Sequence, residues 1–111
     1  MTYKSIEIYY DIGKIPGIAA TDEKTGFPRP EEIGLALDFR NNAMELIEEA
    51  LMEAGAGEWE GAEIGMGEVN FGFTVDDFER AEAIVRKAVE GTEFAGIREI
   101  ARTESAMTGT G

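Results

Sequence analysis

The segment from Glu68 to Gly91 carries the strongest periodic signal in the chain. Its first part alternates four apolar residues with small or polar ones: Val69, Phe71, Phe73 and Val75. Successive side chains of a strand point to opposite faces, so this alternation predicts a strand with one buried face. From Phe78 the apolar spacing becomes helical, and Gly91 supplies a stop signal. The segment therefore predicts a half-buried strand that leads into an amphipathic helix from about Asp77 to Glu90.

The start of this helix has two possible capping boxes. Thr74 with Asp77 and Asp76 with Glu79 both place an acid three residues after a short polar side chain. Either pair can satisfy the unpaired amides of a first helical turn. The sequence leaves the choice between them open.

A second helix is predicted upstream, opened by Pro30 and two acids and ended by the glycines after Ala54. Its apolar arc is unusually wide: Phe39 and two leucines extend the main stripe beyond half of the circumference. A single sheet face cannot cover such an arc. We therefore expect either the preceding loop or a second copy of the protein to cover the remainder.

Three further strands are predicted. The first alternates Ile6, Ile8 and Tyr10 with polar residues, and the second contains Trp59, Ala62, Ile64 and Met66. The last is predicted over Phe94 to Arg102, with a bulge or edge position to explain the opposite parity of Ile97 and Ile100. No periodic signal follows Thr103, which predicts a frayed end. We expect one domain over residues 1–106 and a flexible tail at 107–111.

The segment 11–30 is predicted to be a long loop, because it lacks periodicity and is rich in glycine and proline. A small hairpin is possible within it, around residues 21–26. Four apolar residues are scattered through the segment: Ile12, Ile15, Ile18 and Phe27. They favour docking on the body of the protein or on a second subunit over complete disorder.

The predicted order is strand, helix, strand, strand, helix, strand. In this order the chain resembles the ferredoxin-like α/β plait over about residues 3–102, which places it in the α+β class as a βαββαβ two-layer sandwich. The resemblance implies a four-stranded antiparallel sheet of order 4-1-3-2, both helices on one face, and an open face through which such proteins often dimerise. It implies no function, because this fold hosts many unrelated activities.

Composition excludes several functional classes. The chain has neither cysteine nor histidine, which removes thiolate chemistry, the commonest metal ligand and the commonest general base. A net charge of −13 repels phosphate backbones and anionic lipids, so we expect no binding to nucleic acid or membranes. No apolar run is long enough to span a bilayer. We expect a cytoplasmic protein with no cofactor and no metal.

Candidate site residues come from the first strand, the loop and the first helix. Arg40 projects into the apolar arc of that helix, where it must form an ion pair with an acid such as Glu7 or Asp11, extend to water or face a cleft. The polar residues expected to converge are Tyr9, Tyr10, Asp11, Lys14 and Arg40. The residues expected at an interface are Tyr3, Phe39 and Trp59.

Two functional hypotheses follow from these residues. The favoured one is a small acidic binding or interaction protein, a homodimer that holds a small ligand or a partner protein. The alternative is a small cofactor-independent enzyme of the isomerase or lyase type, with its cavity between the sheet and the 11–30 loop. In that enzyme a carboxylate or phenolate accepts a proton, and Arg40 or Lys14 holds an anionic substrate. The sequence assigns no catalytic residue.

Overall fold

The computed structural model describes residues 2–18, 21, 24–65 and 67–106. Its regular elements are β1 (Thr2–Asp11), α1 (Ile33–Glu53), β2 (Gly57–Gly65), β3 (Glu68–Val75), α2 (Phe78–Val89) and β4 (Glu99–Ala106). The strands form one antiparallel four-stranded sheet in the order β2-β3-β1-β4, which is consistent with the predicted 4-1-3-2 order. The fold is therefore α+β. Met66 and the predicted tail at 107–111 lie outside the described residues.

One face of the sheet, called the inner face here, forms the core with the two helices. Its central side chains on β1 and β3 are all buried: Ile6, Ile8, Tyr10, Val69, Phe71, Phe73 and Val75. The Phe71 and Phe73 rings meet edge to face, with their centroids 5.8 Å apart. Helix α1 contacts β2 and β3, whereas α2 contacts β1. The alternation in β3 predicted one buried face, and both phenylalanines of that face are fully buried under the helices.

Strand β2 contains a bulge that explains its irregular apolar spacing. Trp59 pairs with Phe73 and Ala62 pairs with Phe71, with the register shift lying between Trp59 and Gly61. An extra residue in one strand changes the parity of all positions that follow. Trp59 and Ala62 therefore lie on the same face although they are three residues apart. Strand β2 is an edge strand, and 48% of Trp59 remains exposed.

The loop after β1 docks on the body, as its apolar residues predicted. Ile12, Ile15 and Ile18 are buried and belong to the core. A 3₁₀ turn covers Ile12–Lys14, and the Ile12 amide donates a hydrogen bond to the Gly67 carbonyl oxygen at 2.9 Å. An isolated antiparallel bridge joins Thr21 to Pro28 around the predicted hairpin, of which residues 22 and 23 lie outside the described residues.

The helix starts differ in detail from the prediction. A 3₁₀ turn occupies Pro30–Glu32, and the α-helix begins only at Ile33. At α2 the N-cap is Asp77, whose side chain accepts a hydrogen bond from the Arg80 amide at 2.8 Å. Neither predicted capping box had placed the cap at Asp77. Within the described residues, neither helix has the length and apolar character needed to cross a membrane.

The predicted bounds of the last strand were wrong at both ends. The strand starts at Glu99, and its final residues pair with the start of β1, where the sequence predicted fraying. Residues 94–98 are instead held by tertiary contacts. The Tyr10 hydroxyl donates to the Phe94 carbonyl oxygen at 2.7 Å, and the Arg98 amide donates to the Tyr9 carbonyl oxygen at 2.8 Å. Backbone pairing with β1, rather than apolar alternation, therefore decides where this edge strand lies.

Candidate functional site

The face of the sheet opposite the helices, called the outer face here, is the candidate site. Alternation and register place on it Tyr3, Ser5, Glu7 and Tyr9 of β1, Glu68, Asn70, Gly72 and Thr74 of β3, Glu58, Glu60, Gly61 and Glu63 of β2, and Glu99, Ala101 and Thr103 of β4. Neither helix packs on this face, because both contact the inner one. Those strand positions include no basic side chain, so the outer face is strongly acidic.

A depression lies on the outer face over β2 and β3. Its volume is about 320 Å³, and its polar wall residues are Glu7, Glu60, Glu63 and Asn70. Gly61 and Gly72 oppose each other across the two strands at its floor. A Cβ atom at Gly72 would lie 3.3 Å from the Ile6 carbonyl oxygen, whereas one at Gly61 would meet nothing within 4 Å. The depression therefore exists because two facing positions lack side chains.

Hydrogen bonds with tyrosine and threonine hydroxyls orient two of the wall carboxylates. The Tyr3 hydroxyl donates to Glu60 Oε1 at 2.7 Å, and the Thr74 hydroxyl donates to Glu60 Oε2 at 3.4 Å. Within β1 the Tyr9 hydroxyl donates to Glu7 Oε2 at 2.5 Å. All three donors are neutral, so they orient these carboxylates without compensating their negative charge.

The two adjacent tyrosines of β1 are both unsuited to act as bases near neutral pH. The hydrogen bond to Glu7, then burial and nearby carboxylates, raises the pKa of Tyr9 to about 12. Burial raises the pKa of Tyr10 well above its usual value near 10. Both phenols are therefore protonated at neutral pH. Neither supplies the phenolate that the enzyme hypothesis offered as a proton acceptor.

Arg98 lies just before β4, at one corner of the outer face, and binds acidic side chains there. Its guanidinium forms ion pairs with Asp11 at 2.8 Å and with Glu68 at 3.2 Å, and it lies 5.3 Å from the centroid of the Tyr9 ring. The hydrogen bond to Asp11 raises the pKa of Arg98 further above neutrality. The sequence did not single out Arg98, because the predicted last strand started too early. Its only signal there was a basic residue between two isoleucines.

The structure separates most of the predicted site residues. Tyr9 lies on the outer face, whereas Tyr10 is buried on the inner face against Phe39, with ring centroids 5.1 Å apart. Asp11 forms an ion pair with Arg98, whose guanidinium also lies over the Tyr9 ring. Lys14 is exposed in the 3₁₀ turn, and Arg40 lies on α1. The five residues therefore do not converge on one cavity.

In the described part of the chain, Arg40 forms an ion pair with neither of the predicted acids, Glu7 and Asp11. Its Nε and Nη2 atoms donate to Asn41 Oδ1 at 3.1 and 2.9 Å. Among the described residues, Asp11 pairs with Arg98 and Glu7 accepts from Tyr9. The side chain is half-buried, and its guanidinium bonds to the adjacent residue on the helix.

The predicted interface residues have three different environments. Phe39 is only 7% exposed and packs between Tyr10 and Phe94, so it belongs to the core and not to a surface. Tyr3 lies on the outer face, where its hydroxyl donates a hydrogen bond to Glu60. Trp59 is half exposed on the edge strand β2.

The outer face combines a shallow depression with oriented carboxylates. The depression also offers an amide and a floor without side chains, and the chain contains no cysteine or histidine. Among the residues described, the acidic side chains do not group closely enough to hold a metal ion. Comparisons with protein-family models, with curated proteins and with solved structures found no match for this chain.

Proposed function

We propose that this protein is a small acidic interaction module that holds a partner protein on the outer face of its sheet. The observation that carries the proposal is the open depression around Gly61 and Gly72 in the described part of the chain, bordered by Glu7 and Glu60, which are already oriented by hydrogen bonds. Groups that are ordered before binding lose little conformational entropy when a partner arrives. The depression is open and shallow, which suits a protein side chain better than a small ligand that must be enclosed on most sides.

The alternative function, a cofactor-independent isomerase or lyase, has less support. It requires a cavity between the sheet and the 11–30 loop, yet Ile12, Ile15 and Ile18 of that loop are buried in the core. It also requires Tyr9, Tyr10 and Arg40 at one place, and they lie on opposite sides of the sheet or on a helix. Among the loop residues that the structure describes, none lines the outer-face depression.

We further propose that the fold is a ferredoxin-like plait and that the protein works in the cytoplasm. The strand order and the position of both helices against the inner face support the first proposal. The complete lack of cysteine fits the second, since reducing compartments do not favour disulfides. A homodimer through the outer face is one form of the interaction proposal, in which the partner is a second copy of the chain.

A matched pair of glycine substitutions tests the proposed surface. Gly61 and Gly34 both have open space where a Cβ would lie, but Gly61 is on the outer face and Gly34 is on α1. We expect Gly61→Trp to fill the depression and to reduce recovery of a partner from a native lysate at least tenfold. An effect of this size is typical of losing one interface hot spot. Gly34→Trp should leave recovery unchanged. Circular dichroism melts verify that both variants fold.

Two results would contradict the proposal. If wild type and both variants recover the same partner in equal amounts, the outer face is not the binding surface. If no variant and no wild-type sample recovers any protein at stoichiometric amounts, the interaction function itself is wrong.

A further inference from the structure

We infer that the partner on the outer face is a basic protein, which inserts a lysine or arginine side chain over the Gly61 and Gly72 floor. The inference rests on the proposed function and specifies its partner. It is carried by charge complementarity between such a side chain and a sheet face that no element of the described chain covers.

The wall carboxylates Glu7 and Glu60 accept hydrogen bonds from neutral hydroxyl groups. Arg98 forms its ion pairs with Asp11 and Glu68, at the end of β1 and the start of β3. In the part of the chain that the structure describes, no lysine or arginine forms an ion pair with the wall carboxylates Glu7, Glu60 or Glu63. Carboxylates gathered on one face without counter-charges repel one another, and a bound cation relieves that repulsion.

The shape of the depression also favours a long cationic side chain. The two glycines let a long side chain approach the backbone of β2 and β3, while Asn70 offers an amide at the wall. Glu7 and Glu60 lie on strands at either side of β3, so a cation between them meets carboxylates from two directions. Charge-assisted hydrogen bonds to oriented carboxylates are stronger than bonds to neutral acceptors.

Other occupants fit the face less well. A second copy in face-to-face contact would bring Glu7, Glu60 and Glu63 close to identical carboxylates, which is unfavourable at neutral pH. A nucleic acid would bring phosphates to the same charges. A basic protein surface instead gains both faster association and a matched contact.

The experiment uses an oligolysine peptide as the probe, titrated into the full chain and followed by calorimetry at low and at physiological salt. The test variant is Glu7→Gln/Glu60→Gln/Glu63→Gln. The matched control is Glu45→Gln/Glu49→Gln/Glu53→Gln, which removes the same charge from an exposed stripe of α1. A third variant, Gly61→Val, keeps every charge and adds a side chain to the floor at a position where a Cβ atom meets nothing within 4 Å.

We expect the wild type to bind the peptide with an affinity that falls as salt rises. The outer-face variant should lose about tenfold in affinity, as three modest ion pairs together predict. The α1 variant should lose less than about threefold, because its charges lie far from the depression and are screened. Gly61→Val should weaken binding several-fold although the net charge is unchanged.

Three outcomes would overturn the inference. If both triple variants weaken binding equally, the peptide responds to net charge and not to the depression. If the outer-face variant and Gly61→Val have no effect, the depression is not the site. If sedimentation shows a wild-type dimer that Gly61→Val dissociates, the face is occupied by a second copy.

Failure of the inference can be told apart from failure of the proposed function. When Gly61→Trp abolishes partner recovery but the outer-face glutamine variant binds the peptide unchanged, the outer face is the binding surface and the partner is not basic. When Gly61→Trp has no effect on partner recovery, the surface itself is wrong.

Discussion

At the scale of single residues, position on a strand decides chemistry more than residue type does. Tyr9 and Tyr10 are neighbours in the sequence, yet the alternation of β1 sends them to opposite faces. Tyr10 is 2% exposed and its hydroxyl fixes the Phe94 carbonyl, whereas Tyr9 orients Glu7 on the outer face. One tyrosine is therefore a core residue and the other belongs to the candidate site.

The coupling of Tyr9 to Glu7 can be measured by titration. Because the hydrogen bond to Glu7 is the largest cause of the raised Tyr9 pKa of about 12, we expect Glu7→Gln to lower the midpoint of this phenol. Phenolate absorbance measures the shift, and Glu48→Gln on α1 controls for the loss of one negative charge. An unchanged midpoint in Glu7→Gln would contradict the assigned hydrogen bond.

The sign of the accompanying stability change follows from proton linkage. The pKa of Tyr9 is higher in the folded state than its unfolded value near 10, so above that pH the folded state retains a proton that the unfolded state loses. The stabilising contribution is complete below about pH 10 and is lost as the pH rises towards 12. Urea unfolding across this range should show a shallower decline in Glu7→Gln.

At the scale of elements, end signals and pairing partners decide where helices and strands begin and end. Helix α2 starts after Asp77 because that carboxylate accepts a hydrogen bond from the Arg80 amide, which otherwise has no partner in the first turn. Strand β4 has a different cause. It continues to Ala106 because β1 extends to Thr2 and offers backbone partners that far.

The cap of α2 makes a direct prediction for stability. Asp77→Ala should lower the free energy of unfolding by about 1 kcal/mol, the usual value for losing an acidic N-cap. Asp76→Ala removes the preceding exposed carboxylate without removing the cap and should cost clearly less. Urea denaturation of both variants decides the point. A larger loss in Asp76→Ala would show that the cap had been assigned to the wrong residue.

At the scale of the whole molecule, the long loop is part of the same core as the sheet and helices. Ile12, Ile15 and Ile18 are buried with Phe71 and the inner-face residues. The loop isoleucines and the buried residues of α1 therefore belong to one core. Phe39 belongs to that arc and is buried without a second copy of the chain.

This shared core predicts a large effect for a loop substitution. Ile12→Ala should destabilise the protein by about 2–5 kcal/mol, the range for truncating a fully buried aliphatic side chain. Leu35→Ala on α1 is the control, since Leu35 is 45% exposed and should cost about 1 kcal/mol or less. Thermal and urea unfolding measure both. A small loss in Ile12→Ala would indicate that the loop folds apart from the core.

Local patterns in the sequence determined the central elements of this protein. The alternation around Phe71 and the helical spacing after Phe78 depend only on neighbouring residues, and both elements form where they were predicted. The same holds for most of α1 and for burial of the loop isoleucines. Such signals persist because burying a periodic apolar face is favourable in any tertiary context.

Only the tertiary structure decided the candidate site. The depression depends on Gly61 facing Gly72 and on a bulge that changes the parity of β2, and neither the pairing nor the bulge has a local signal. The corner at Arg98 depends on β4 lying beside β1 and thus near Asp11 and Glu68. Neighbours along the chain set the period of an element, whereas strand register sets which distant side chains meet.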